Sequence, residues 1–259
     1  MLPRHDSEID RLDVQHYALR AAVRGNYLAP IQEPARILDV GSGTGQWAYD
    51  LCDQFGEAVV VGFDLERSKR DHSANFRFVR GNLLRGLPFM DDRFDFVHQR
   101  LLMTAIPLKS WQEVVRDLVR VTAPGGWIEL VEVEDQMEPQ GPATTRLWEL
   151  GNRLARSFRL DSTGIVPRSL GDYLLRAGAE GVTRREVVVP IGDWGERVGS
   201  LMASDFRALF TRLCPIFEVR FELPAGECER LVASALAECE QLRTRATFSF
   251  AYGRKASSR

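Results

Sequence analysis

A glycine-rich turn after an apolar run is the clearest chemical signal in the sequence. The run Ile37-Leu38-Asp39-Val40 leads into Gly41-Ser42-Gly43-Thr44-Gly45, and a helical pattern begins at Gln46. Glycine has no Cβ, so such a turn lets the backbone approach a ligand closely. Ligands of open parallel sheets bind beyond the carboxyl ends of the strands, where we expect Asp39 and this turn to lie.

The turn has two chemical interpretations. A dinucleotide-binding turn has glycine at its first, third and sixth positions, and the sixth position counted from Gly41 is Gln46. The carboxylate of Asp39 would also repel a pyrophosphate. Both observations favour a cationic ligand with a sulfonium and an amino group over a nucleotide phosphate.

Polar side chains follow the next three apolar runs. Asp64 follows Val61-Gly62-Phe63, and its carboxylate fits the hydroxyls of a ribose, although it could also cap a helix. Asn82 suits the edge of an adenine or a plain turn. In the run 94–100 the strand is predicted to end near His98, which puts Gln99 and Arg100 at the cleft. Arg100 suits a ligand carboxylate, an acidic substrate or a structural salt bridge.

Short apolar strands alternate with helical stretches through the first half of the chain. The predicted strands are 35–40, 58–63, 75–80, 94–98 and 127–133. The predicted helices are 8–23, 46–55 and 111–122, and Pro124-Gly125-Gly126 ends the last of these. This alternation predicts an α/β fold with a mostly parallel, Rossmann-like sheet and helices on both faces.

The second half is less regular. A helix at 168–177 and strands at 187–191 and 247–252 are predicted. We expect a single domain over 1–259. In this domain, residues 1–30 form a helical cap, and residues 135–167 and 192–245 are inserted helical segments that act as a lid around the substrate.

Composition excludes several classes of protein. The chain has 259 residues, a formal net charge of −2 and no strongly basic stripe, so a nucleic-acid partner is not expected. No apolar stretch is long enough to span a bilayer, and no secretory signal precedes the first helix. The four cysteines, Cys52, Cys214, Cys228 and Cys239, lack metal-ligand spacing. We therefore expect reduced thiols, no metal site and a cytoplasmic protein, and a homodimer is compatible with these observations.

The ordered motifs resemble the class I S-adenosylmethionine (SAM)-dependent methyltransferases. The motifs are 39–45, Asp64, Asn82, 94–97 and Pro124-Gly125-Gly126-Trp127. A narrower resemblance to the LaeA-like group of secondary metabolism rests on 10–16, 28–31, 43–48 and 94–100. The resemblance implies a seven-stranded sheet, a short second helix at 67–74, SAM as the methyl donor and a small-molecule methyl acceptor.

The resemblance also implies which residues hold the cofactor. Asp39 and the turn would hold the methionine end, Asp64 the ribose and Asn82 the adenine. The full predicted set is Tyr17, Asp39, Gly41, Ser42, Gly43, Gly45, Asp64, Leu65, Asn82, Leu83, Gln99 and Arg100. His98 and His16 are the main candidate catalytic bases, with Glu134 and Asp135 as weaker candidates, and a base is needed only if the acceptor must lose a proton. For each histidine, a hydrogen-bonded structural role is the alternative.

Three functions are compatible with these residues. The first is a methyltransferase acting on a small molecule, and the second is a SAM-binding regulatory protein that works through a protein partner. The third, an NAD(P)-dependent oxidoreductase, is disfavoured by Gln46 and Asp39.

Overall fold

The computed structural model describes residues 6–66 and 73–257, which form two compact units. One unit, here called the sheet unit, comprises Gly25–Val133, Ile165–Glu186 and the chain from Ser249 onward. The other, here called the helical unit, comprises the chain up to Arg24 together with Glu134–Gly164 and Val187–Phe248. The single domain, the N-terminal cap and the inserted lid segments stay predictions.

Seven strands form one sheet in the order β3-β2-β1-β4-β5-β7-β6. The strands are β1 (Arg36–Val40), β2 (Val59–Asp64), β3 (Phe76–Arg80), β4 (Phe94–Arg100), β5 (Thr122–Glu138), β6 (Ala179–Pro190) and β7 (Arg245–Lys255). The pairs β1–β2, β1–β4, β2–β3 and β4–β5 are parallel. The strand order reverses beside β1, so a crevice opens between the carboxyl ends of β1 and β4. Ligands of such sheets bind in this crevice.

The helices of the sheet unit cover both faces of the sheet. These helices are α2 (Gln46–Gln54), α3 (Trp111–Val121) and α5 (Ile165–Arg176). Ile37 of β1 packs in a core with Trp47 of α2, whereas its neighbour Leu38 packs in a second core with Leu118 of α3 and Leu174 of α5. Successive strand residues point to opposite faces, so these two cores confirm the predicted α/β class with helices on both faces.

Several strands are longer than predicted. The Pro124–Gly126 sequence, expected to separate a helix from a strand, lies inside β5. Gly125 has φ +76° there, and the β4–β5 register shifts between Phe94 and Phe96. The strand thus absorbs its Pro-Gly sequence as an irregularity. β4 also continues two residues beyond the expected end at His98.

The helical unit consists of α1 (Asp6–Val23), α4 (Pro142–Ser157), α6 (Glu196–Phe221) and α7 (Glu227–Leu242). α1 packs on α6, and α4 packs on α7. Arg11 donates to Asp205 at 2.6 Å across the first pair, and Glu238 accepts two backbone N–H groups at the start of α4. A buried carboxylate, Asp205, and a half-buried one, Glu238, therefore fix the helix pairs of this unit.

The expectation of reduced cysteines is wrong for one pair. Cys214 of α6 and Cys228 of α7 form a disulfide, whereas Cys52 and Cys239 are free and buried. Their separation of 14 residues gives no motif, because the turn that brings α7 back along α6 is what places them together.

Other expectations concern the outer properties of the chain. The predicted helix at 67–74 lies mostly in residues 67–72, outside the described residues. Within the described ranges, no helix is both long and apolar enough to cross a bilayer, and no cluster of three or more metal-ligating side chains is found. The compartment and the oligomeric state stay predictions.

Candidate functional site

The glycine-rich turn joins β1 to α2 in a conformation that only glycine adopts easily. Gly41, Gly43 and Gly45 have φ of +74°, +58° and +85°. Gly41 N donates to Phe63 O of β2 at 2.8 Å, so the turn is fixed to the neighbouring strand. A Cβ on Gly41 would lie 2.6 Å from Leu102 Cδ2. The turn is therefore both left-handed and closely packed, which other residues would disrupt.

Asp64, at the end of β2, holds the turn from the other side. Its Oδ2 accepts the Gly43 N–H at 2.9 Å, and its Oδ1 accepts the Glu66 N–H at 3.2 Å. Both carboxylate oxygens therefore bond the backbone around the turn, and the ribose contact predicted for Asp64 stays a prediction. Leu65 follows, and its carbonyl accepts from Arg80 Nε at 2.8 Å. The predicted ribose-binding residues therefore lie together with the turn.

Asn82 lies just after β3, at the same edge of the sheet. Its Oδ1 accepts the Leu84 N–H at 3.0 Å and caps the short 3-10 helix Leu83–Arg85. The turn role considered for Asn82 is thus present, and it uses only the oxygen of the amide. Leu83 packs against the core of the sheet unit. The adenine contact predicted for Asn82 and the cofactor contact predicted for Leu83 stay predictions.

A row of three ionisable side chains crosses the middle of the sheet. The strand registers pair Asp39 with His98 and His98 with Glu129, so all three lie on one face. His98 Nδ1 is 3.6 Å from Asp39 Oδ1, and His98 Nε2 is 3.8 Å from Glu129 Oε1. The indole of Trp47 in α2 stacks on the imidazole, with the ring centroids 3.9 Å apart and an interplanar angle of 7°. The three are buried, and we call them the Asp–His–Glu row.

Glu129 is bonded on its far side as well. Its Oε2 accepts the Leu28 N–H at 2.8 Å and the Ala29 N–H at 2.6 Å. Burial raises the pKa of Glu129 to about 7, and these two bonds act against that shift. A carboxyl with a pKa near neutrality can exchange a proton under physiological conditions.

Among the described residues, Asp39 Oδ2 is buried without a hydrogen-bond partner. A buried carboxylate oxygen left in this state is costly unless a ligand or water completes it. It lies at the end of β1, immediately before the turn. This atom, the left-handed turn and Asp64 together fit a ligand that has a cationic group at one end and a ribose at the other.

Arg100 is the last residue of β4, two positions after His98. Burial lowers the pKa of its guanidinium, and the charges of Asp39 and Asp50 act in the opposite direction. An arginine keeps its positive charge under such conditions. It therefore places a fixed cation beside the crevice, as the prediction of a carboxylate-binding residue requires.

Gln99 is fully buried, because β4 extends past the predicted strand end. Its Nε2 donates to Glu132 Oε1 at 2.7 Å, on the sheet face opposite His98. Glu132 also accepts the Leu102 and Met103 N–H groups at 2.7 and 3.2 Å. This geometry favours a role for Gln99 in holding the loop after β4 over direct contact with a cofactor.

The two candidate bases are in different units. His98 belongs to the sheet unit, and both of its ring nitrogens face carboxylates, with 1 % of the residue exposed. This favours a positioning role over proton abstraction from a substrate. His16 and Tyr17 lie on α1 in the helical unit; His16 is buried, Tyr17 is half-exposed, and their rings meet edge to face at 5.2 Å. Their predicted roles stay predictions.

Sequence reasoning missed Glu129, Glu132 and the stacking role of Trp47. The signal for the glutamates was present in the run 127–133, WIELVEV. Central strands of parallel sheets are covered on both faces and are nearly all apolar, so two glutamates in such a strand indicate buried, bonded carboxylates. No comparable signal distinguishes Trp47 from an ordinary core tryptophan.

Comparison with known proteins places the turn in a recognised domain. Residues 37–126 match the model of a methyltransferase domain. The chain is 29% identical over 220 residues to methyltransferase pytC of Aspergillus terreus, covering 79% of this chain and 66% of that protein. It is 36% identical over 148 residues to the secondary metabolism regulator LAE1 of Cochliobolus heterostrophus, covering 54% and 47%. The chain thus spans about half to two thirds of the length of these curated relatives.

A solved structure shares the fold. Phosphoethanolamine N-methyltransferase 2 of Haemonchus contortus, in complex with S-adenosyl-L-methionine, superposes with a TM-score of 0.54 at 14% identity, over 95% of this chain and 52% of that chain. The likeness at this level of identity concerns the fold, and it agrees with the strand order described above.

Proposed function

We propose that the chain transfers a methyl group to a small-molecule acceptor in secondary metabolism. The premise is that the chain belongs to the class I SAM-dependent methyltransferases and resembles the LaeA-like group. The observation that carries the proposal is the pairing of a left-handed glycine turn with the buried, incompletely bonded carboxylate of Asp39. A cationic sulfonium compound with a ribose satisfies both features. A dinucleotide would place its pyrophosphate against Asp39 instead.

The residues of the sheet unit divide the binding work by position. The turn 41–45 gives close backbone approach, and Asp64 accepts the ribose hydroxyls. Asn82 reaches the base, and Arg100 faces the carboxylate of the methionine end. When bound, SAM supplies a methyl group that the positive sulfur already activates. The protein gains rate mainly by holding the acceptor in line with that group, which can contribute about 7–11 kcal/mol.

A general base is a separate requirement, set by the acceptor. Because His98 is enclosed between two carboxylates, we assign proton removal, where the acceptor needs it, to a group outside the Asp–His–Glu row. His16 of α1 is the next candidate that the sequence offers. A His16→Gln variant with normal cofactor affinity and strongly reduced turnover would support this role.

The cofactor assignment is tested by calorimetric titration with S-adenosylhomocysteine, with NAD and NADP run alongside. We expect binding of the homocysteine nucleoside alone. Asp64→Ala removes a charged acceptor, whose bonds contribute about 1.5–3 kcal/mol, so the dissociation constant should rise about tenfold to a hundredfold. Asp53→Ala, at an exposed aspartate of α2, is the matched control and should bind as the parent does.

Other results would contradict the assignment. Unchanged affinity in Asp64→Ala would remove the ribose role from that residue. A heat of binding with NAD and none with S-adenosylhomocysteine would indicate an oxidoreductase instead of a methyltransferase.

The second candidate function is a SAM-binding regulator that acts through a protein partner. The similarity to LAE1, a protein named as a regulator of secondary metabolism, favours it. The two functions separate in an assay with isotope-labelled SAM and a panel of phenols, amines and carboxylic acids. Labelled product from a small acceptor supports the enzyme, whereas cofactor binding with no labelled product from any of them supports the regulator.

A further inference from the structure

The Asp–His–Glu row concentrates charge where little compensation exists. Asp39 and Glu129 flank His98, and none of the three residues is more than 2 % exposed. If the imidazole were neutral, the carboxylates of Asp39 and Glu129 would place two buried negative charges on either side of the ring. Such an arrangement is strongly unfavourable in a protein interior. A proton on the row relieves it, whether the imidazole or the Glu129 carboxyl carries that proton.

The charged groups around the row do not remove this need. Arg100 of β4 is the fixed cation, and it faces Asp50 of α2 as well as Asp39. Tyr27, from the segment before β1, faces Glu129, and burial raises the pKa of its phenol, so it stays neutral. Trp47 covers the imidazole with an uncharged ring. Arg100 thus faces the charges of two carboxylates, Asp39 and Asp50, and the row keeps the remaining balance through its proton.

A ligand at the end of β1 changes that balance. The Asp39 oxygen that faces His98 is Oδ1, and the oxygen that lacks a partner among the described residues is Oδ2. A cationic group bonded to Oδ2 would compensate the same carboxylate that the protonated row compensates. The ligand cation and the proton on the row therefore compensate the same negative charge, that of Asp39, and they do so from opposite sides of its side chain.

We infer that His98 is a positioning residue that links cofactor binding to release of a proton from the Asp–His–Glu row. The inference rests on the proposed function, because the ligand must bring a cationic methionine end to Asp39. Its consequence is a pH dependence of affinity with a definite sign. Acid keeps the proton on the row and weakens binding, whereas binding strengthens as the pH rises through neutrality, by at most tenfold per pH unit for one linked proton.

Calorimetry in pairs of buffers measures the linked proton directly. S-adenosylhomocysteine, which keeps the cationic amino group, is titrated into the protein at pH 6, 7 and 8. Each titration is repeated in phosphate and in Tris, whose heats of ionisation differ. We expect release of up to about one proton per ligand near pH 7 and an affinity that rises with pH. His98→Asn and Glu129→Gln should each reduce both effects, whereas Glu33→Gln, at an exposed carboxylate, should leave them unchanged.

The outcomes distinguish this inference from the proposed function. Absence of S-adenosylhomocysteine binding by the parent protein overturns the proposed function and the inference together. Binding with equal heats in both buffers and no pH dependence overturns the inference alone, as does a full proton release that persists in His98→Asn. Should that variant fail to fold, NMR of the parent protein labelled with ¹⁵N-histidine decides, because the His98 ring signals must shift when the ligand is added, whether the proton leaves the imidazole or the adjacent Glu129 carboxyl.

Discussion

The pH dependence of folding offers a quantitative test of the Asp–His–Glu row. Burial raises the pKa of Glu129 from 4.5 to about 7. Between these values the native protein holds a proton that the unfolded chain has lost, so stability falls as the pH rises through this window and levels off above it. About 1.36 kcal/mol corresponds to each pH unit, so the loss attributable to Glu129 amounts to about 3 kcal/mol by pH 8.

The variant Glu129→Gln isolates this contribution. Its amide does not ionise, yet its oxygen can still accept the backbone N–H groups of Leu28 and Ala29. Urea unfolding of both proteins from pH 4.5 to 8, followed by tryptophan fluorescence, gives the two free energies of unfolding. Their difference cancels the titrating groups that do not interact with Glu129, and we expect it to shift by about 3 kcal/mol in favour of the variant as the pH rises.

Two results would refute this reasoning. One is a difference between the proteins that stays constant across the pH range, and the other is a shift that favours the parent. Glu33→Gln serves as the control, because an exposed side chain gives no comparable shift. The prediction concerns the free protein and therefore holds or fails independently of any ligand.

Three further predictions follow from the contacts described. Gly41→Ala places a Cβ 2.6 Å from a leucine side chain at φ +74° and should weaken S-adenosylhomocysteine binding at least about tenfold by calorimetry, whereas Gly56→Ala, with open space around it, should not. Glu132→Ala leaves one buried and two half-buried N–H donors without this acceptor and should lower the free energy of unfolding by about 3 kcal/mol in urea titrations. Cys214→Ser removes the disulfide with Cys228 and should lower the free energy of unfolding by about 3 kcal/mol, as expected for a loop of this length. Equal stability of the parent protein and the variant, measured without reductant, would contradict the disulfide.

The sequence predicted those parts of the molecule that depend on short-range patterns. The apolar runs and the glycine turn depend on neighbours within about ten residues, and the structure confirms the sheet, the helices on both faces and the turn between β1 and α2. The disulfide joins helices whose approach no local pattern specifies. Similarly, His98 is adjacent to Asp39 and Glu129 only through the strand registers, and these depend on the whole sheet.

The two aspartates of the site illustrate why the residue type alone did not reveal the division of roles. Asp64 gives both oxygens to backbone N–H groups and thereby fixes the turn before any ligand arrives. Asp39 bonds none of the turn; one of its oxygens faces an imidazole, and the other lacks a described partner. Asp64 therefore mainly determines the shape of the site, and Asp39 mainly its charge. Because His98 and Glu129 extend that charge across two further strands, the affinity of the turn for a cation depends on residues that the ligand never touches.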